Sequence, residues 1–94
     1  MSTIKAIEAR IARVEGFRVK VLYETGKDVR SDRASLPGYP YERMLKNSAN
    51  VRDWIETRFK AIYPGFDVLV LDEAGRRVHG RTKLATVRDT YLAD

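Results

Sequence analysis

Ninety-four residues, 44% of them hydrophobic and 10% aromatic, suffice for one folded domain with one modest core and leave no room for a second. The chain has 18 lysine and arginine residues against 13 aspartate and glutamate, a net charge of +5, and no cysteine. This composition excludes disulfides, thiolate metal sites and cysteine nucleophiles, points to a cytoplasmic protein, and favours polyanionic partners such as nucleic acid. The N-terminus "MSTIKAIEARIARVEG" lacks the apolar centre of a signal peptide, and no apolar run approaches the length of a membrane span, so no membrane role is expected.

Ser2 is placed to cap a first helix. Its Ile4, Ile7, Ile11 and Val14 recur at three- and four-residue steps, Lys5, Glu8, Arg10 and Arg13 fall outside that stripe, and Gly16 is the stop. Residues 17–24, "FRVKVLYE", switch to a period of two. Phe17, Val19, Val21 and Tyr23 face one way, and the opposite face holds Arg18, Lys20 and Glu24 with Leu22 as its only apolar member.

Residues 25–40, "TGKDVRSDRASLPGYP", follow neither period, and a stretch of that length without regular structure is expected to be mobile. Within it, Pro37-Gly38 reads as a type II turn with Gly38 at positive φ. "YERMLK" (41–46) reads as a short helical turn. Asn50 then caps the strongest helix of the chain. Val51, Trp54, Ile55, Phe59 and Ile62 form its apolar face, interrupted only by Arg58, and Trp54 belongs to the core. Asp53 in the first turn suits the helix dipole, and Pro64-Gly65 end the helix.

"FDVLVLD" (66–72) is the most strand-like run, with apolar side chains on both faces. "DEAG" has the length of a hairpin loop, and "RRVHGRT" (76–82) reads as the returning strand, with Gly80 at a bulge. Thr82 is placed to cap a last helix through Leu84, Val87, Tyr91 and Leu92, a further strand being the alternative for 83–92. The expected fold is therefore a single two-layer α+β domain over 1–94. Its order is helix, strand, loop, helix, strand, strand, helix, around a small mixed sheet. The first two strands should be parallel through a right-handed crossover and the last two antiparallel.

Catalytic patterns fail at identifiable residues. A single histidine, His79, cannot supply both a base and a metal cage. Asp67 followed by Lys83 resembles the acid and acid-x-Lys spacing of metal-dependent nucleases, but Arg81 stands where the second carboxylate is needed. "TGKD" lacks the first glycine and the hydroxyl of a phosphate loop. No catalytic residue, metal ligand or cofactor is expected.

Recognition chemistry remains. Arg76, Arg77, His79, Arg81 and Lys83 cluster in "RRVHGRTK", Arg30 and Arg33 lie in the long loop, and Tyr39 and Tyr41 flank Pro40. Guanidinium groups pair with phosphates and exposed tyrosines stack on unpaired bases. Strand alternation would put Arg77, His79 and Arg81 on one outer face, with Val78 turned to the core. The expected function is a small non-enzymatic module that binds nucleic acid through this basic segment and loop. The alternative is a protein-interaction module without a nucleic-acid role: a homodimer, an inhibitor or an assembly factor from a mobile element.

Overall fold

The computed structural model describes residues 2–27 and 36–92. The first helix, α1 (Ile4–Glu15), is capped by Thr3 rather than Ser2: the Thr3 hydroxyl accepts the Ala6 amide at 3.1 Å. The backbone of Ser2 is instead engaged in a bridge with Leu36. Gly16 ends α1 at φ 83°, its amide donating to Ala12 O. The buried stripe is Ile4, Ile7, Ile11 and Glu15, so a carboxylate, not Val14, completes the inner face.

Strand β1 (Arg18–Tyr23) pairs with β2 (Phe66–Leu71) in an antiparallel ladder running from Arg18–Leu71 to Tyr23–Phe66. The expected parallel pairing and mixed sheet are thus corrected to two antiparallel strands. The cause lies in the connection. Residues 36–45 run along α1 in its own direction: Leu36 meets Ser2, the carbonyls of Tyr39 and Tyr41 accept from Arg10, and the Leu45 amide donates to Glu15. This extra traverse means that the following helix delivers the chain to the Tyr23 end of β1, so β2 must run the other way.

The same contacts explain why "YERMLK" is not helical. Its backbone groups are claimed by distant side chains: the Leu45 amide by Glu15, the Arg43 carbonyl by Arg58 and the Leu45 carbonyl by Arg88. Nor does Gly38 adopt a positive φ; it is glycine for space, because a Cβ there would come within 3.3 Å of the Ser2 hydroxyl. The Tyr39–Pro40 bond is trans.

Helix α2 (51–62) opens with the expected Asn50 cap. Asn50 Oδ1 accepts the Asp53 amide at 2.8 Å and Asp53 returns the bond to the Asn50 amide at 3.1 Å. Ile55–Phe59 then form a π-helical turn in which the Lys60 amide reaches back five residues to Ile55 O. The inserted residue lengthens the step between Trp54 and Phe59 to five, and both end with no solvent exposure. They pack with Phe17 and Tyr63, edge-on for Phe17 against Trp54 and tilted for the others, at centroid separations between 5.1 and 5.9 Å.

The expected third strand is absent. "RRVHGRT" touches β2 only at the Leu71–Arg77 bridge, where Val78 N–H donates to Val70 O at 2.8 Å. Beyond it the carbonyls of Gly80 and Thr82 accept the Arg52 and Val51 amides, each at 2.9 Å, and so satisfy the open N-terminus of α2 rather than a ladder. The last helix, α3 (Leu84–Thr90), settles the 83–92 ambiguity in favour of helix. Its cap position is Lys83, not Thr82, and no side chain caps it; Ala49 O accepts the Leu84 amide at 2.8 Å instead. The result is an α+β domain in which, among the described residues, three helices and the irregular 36–49 segment cover one face of a two-stranded sheet. No helix among the described residues is long and apolar enough to cross a membrane.

Two polar groups sit at the margins of the core. Glu8, on the expected outer side of α1, is half-buried and accepts the Val21 amide at 2.9 Å on the edge of β1. Burial raises its carboxyl above the usual range, against the opposing effects of that bond and of Lys20. The Tyr63 hydroxyl is buried and finds no partner among the described residues, and burial pushes its pKa up to about 12. Replacing Tyr63 with Phe removes a desolvated hydroxyl while keeping the ring, so Tyr63→Phe should leave urea stability unchanged or raise it by up to about 1 kcal/mol. A loss larger than that would show that the hydroxyl is bonded in solution.

Candidate nucleic-acid interface

Charge gathers in two places. The first is internal. The Glu15 carboxylate is fully buried and accepts four donors: Tyr39 Oη at 2.5 Å, Arg58 Nη1 at 2.7 Å, the Leu45 amide at 2.9 Å and Arg88 Nη2 at 3.3 Å. Arg88 also donates to the Glu15 carbonyl at 2.6 Å, the Leu45 carbonyl at 2.8 Å and Asn47 Oδ1 at 2.7 Å. Burial lowers the pKa of Arg88, with the Arg58 charge adding to it and Glu15 opposing. For Arg58 burial also works downward, but the hydrogen bond and charge of Glu15 outweigh it and the net shift is upward. Glu15, Arg58 and Arg88 are all engaged with groups of the chain itself, so this cluster is read as a scaffold.

The second gathering faces solvent. The bonds from Gly80 and Thr82 to the start of α2 hold the 79–82 turn against that helix, and between them lies an open groove of about 890 Å3. One wall is Arg77, His79, Gly80 and Arg81. The other is the 52, 56, 60 stripe of α2, namely Arg52, Glu56 and Lys60, with Ile55 beside it; Asp67 of β2 completes the lining. Four cationic side chains thus stand against two acidic ones. The Arg52–Glu56 pair, at 3.7 Å with both side chains well exposed, is a weak one that leaves both groups free to be drawn to a ligand. His79 Nδ1 accepts the Arg81 amide at 3.1 Å, so a neutral ring carries its proton on Nε2 and presents a donor. Asp67 Oδ1 accepts the Val68 amide at 2.8 Å. Among the described residues no three of histidine, cysteine, aspartate and glutamate converge as a metal set.

The sequence-derived site residues separate accordingly. Arg77, His79 and Arg81 do share a surface, while Val78 is half-buried against the core. Arg76 is exposed in the 72–76 turn, its amide on Asp72 Oδ1, and Lys83 is exposed at the start of α3; neither lines the groove. Arg30 and Arg33, and residues 28–35 of the expected mobile stretch, lie outside the described residues.

Tyr39 is corrected from a stacking platform to a core residue. It is 2% exposed, donates to Glu15, accepts from Trp54 Nε1 at 3.0 Å, and has its hydroxyl pKa raised by burial and by the bond to Glu15. Tyr41 is half-buried with one ring face under the Arg58 guanidinium at 4.4 Å. The sequence reading missed Arg52 and Lys60. Their signal was the four-residue spacing of Arg52, Glu56 and Lys60 along the flank of the apolar stripe.

Comparison with protein-family models, curated proteins and solved structures finds no match to this chain.

If Tyr39 is a core residue, Tyr39→Phe removes one donor to a buried carboxylate and one acceptor for a buried indole. It should cost about 1–3 kcal/mol in urea unfolding. A surface stacking tyrosine would lose nothing, so unchanged stability would return Tyr39 to the binding surface.

Proposed function

We propose that the protein is a small, non-enzymatic, cytoplasmic module that binds nucleic acid in the groove between α2 and residues 77–81. The observation that carries this reading is the convergence of Arg77, His79 and Arg81 with Arg52 and Lys60 on one concave surface. These groups come from two separate segments, 52–60 and 77–81, which the bonds from the Val51 and Arg52 amides to Thr82 and Gly80 bring side by side. Guanidinium and ammonium groups at that density suit a phosphate backbone, and backbone contact fixes position without reading sequence. The excess of 18 basic over 13 acidic residues across the chain adds long-range attraction for the same partner. Of the two segments that the alternative, a protein-interaction module, would use, the first helix has Ile4, Ile7 and Ile11 buried in the chain's own core, and residues 28–35 of the long loop lie outside the described residues.

Titration of mixed-sequence DNA and RNA oligonucleotides at two salt concentrations tests this. The parent should bind more weakly as salt rises. The Arg77→Gln/Arg81→Gln double variant should show a logarithmic salt slope smaller by about 1.4, two phosphate contacts on a single strand. No binding at low salt, or an unchanged slope, would contradict the proposal.

A further inference from the structure

The groove is not uniformly cationic. Asp67 lies in its lining, and its Oδ1 accepts a hydrogen bond from the Val68 amide. A carboxylate beside a phosphate track weakens binding by repulsion unless it meets a donor on the ligand. Glu56 has a cation for company in Arg52 on the adjacent turn of α2, whereas no ion pair to Asp67 occurs among the described residues. On an unpaired base the best donor to a carboxylate is an exocyclic amine: aspartate accepts from the N4 amine of cytosine, whereas the N3–H of uracil lies between two carbonyl oxygens that repel it. Ile55 supplies the apolar surface against which an unpaired base can rest. The N4 amine keeps one hydrogen toward the major groove even in a duplex, but a base that rests its face on Ile55 has left the stack, so the two contacts together require a single strand.

Resting on the nucleic-acid reading above, we infer that the groove selects single strands whose bases carry an exocyclic amine. The phosphate lies on Arg77, His79 and Arg81, and the base amine points to Asp67. The groove's volume, about 890 Å3, lies within the range of sites that enclose a ligand of nucleotide size. Recognition is then divided between two walls. The 77–81 wall supplies affinity common to all strands, and Asp67 supplies a preference among them.

The test uses fluorescently labelled oligo-dC and oligo-dU of equal length, which are alike in size and charge and differ in the group at C4. Anisotropy titration at pH 7.5 and low salt should show the parent binding oligo-dC at least about fivefold more tightly than oligo-dU. In Asp67→Asn, Oδ1 keeps the Val68 amide while Nδ2 becomes a donor, so the preference should vanish, chiefly through tighter binding of oligo-dU. Glu42→Gln, at an exposed carboxylate that does not line the groove, should retain it. Equal affinity of the parent for both oligomers would overturn the inference while leaving nucleic-acid binding intact. So would an oligo-dC preference that survives in Asp67→Asn. Failure of the parent to bind either oligomer would remove the nucleic-acid reading itself, and this inference with it.

Discussion

The rest of the structure depends on one buried carboxylate. Glu15 ends α1 on the apolar stripe and is wholly removed from water. Desolvating a carboxylate and two guanidinium groups costs several kcal/mol per ion unless geometry and hydrogen bonding compensate. Here they do: the carboxylate accepts four donors, and Arg88 adds bonds to two carbonyls and to the Asn47 amide oxygen. Because the partners of Glu15 come from three other parts of the chain, the cluster joins α1, the 36–49 segment, α2 and α3 at one point. Its contribution is less to net stability than to specifying a single arrangement, since any other packing of these elements strands an ion in the core.

The irregular features of the fold follow from that requirement. Residues 41–46 stay non-helical because their backbone groups serve Glu15, Arg58 and Arg88. The π-helical turn of α2 lets Trp54 and Phe59 both be buried while Arg58, beside Phe59, reaches Glu15. Fixing α2 in this way also fixes the N-terminal amides to which Gly80 and Thr82 are bound, and hence the wall that carries Arg77, His79 and Arg81. The internal charge cluster and the external groove are thus connected through α2: the first sets where the helix lies, and the helix is one side of the second.

The local parts of this architecture were legible in the sequence, because they depend on neighbours. The α1 stripe, the Asn50–Asp53 capping box, the strand periodicities and the Gly16 stop all rest on residues within four positions of each other. What was not legible depended on distant partners. Strand direction turned on the extra traverse of 36–45, and the missing third strand on carbonyls recruited by a helix 30 residues earlier. Glu15, Arg58 and Arg88 each stand on an otherwise apolar stripe, so the sequence marked three polar residues at core positions without showing that they meet. For the groove, the row of Arg77, His79 and Arg81 was readable from alternation, whereas its pairing with Arg52 and Lys60 required the fold.

The most direct test of this account is a double-mutant cycle between Glu15 and Arg88, using Glu15→Gln, Arg88→Met and the double variant in urea unfolding. If the cluster is the shared constraint, the singles each leave a buried group without its counterpart, and the double variant loses less than their sum. The coupling energy should exceed about 1.5 kcal/mol. Additive losses, within about 0.5 kcal/mol, would show that Glu15 and Arg88 act independently and that the fold does not rest on their pairing.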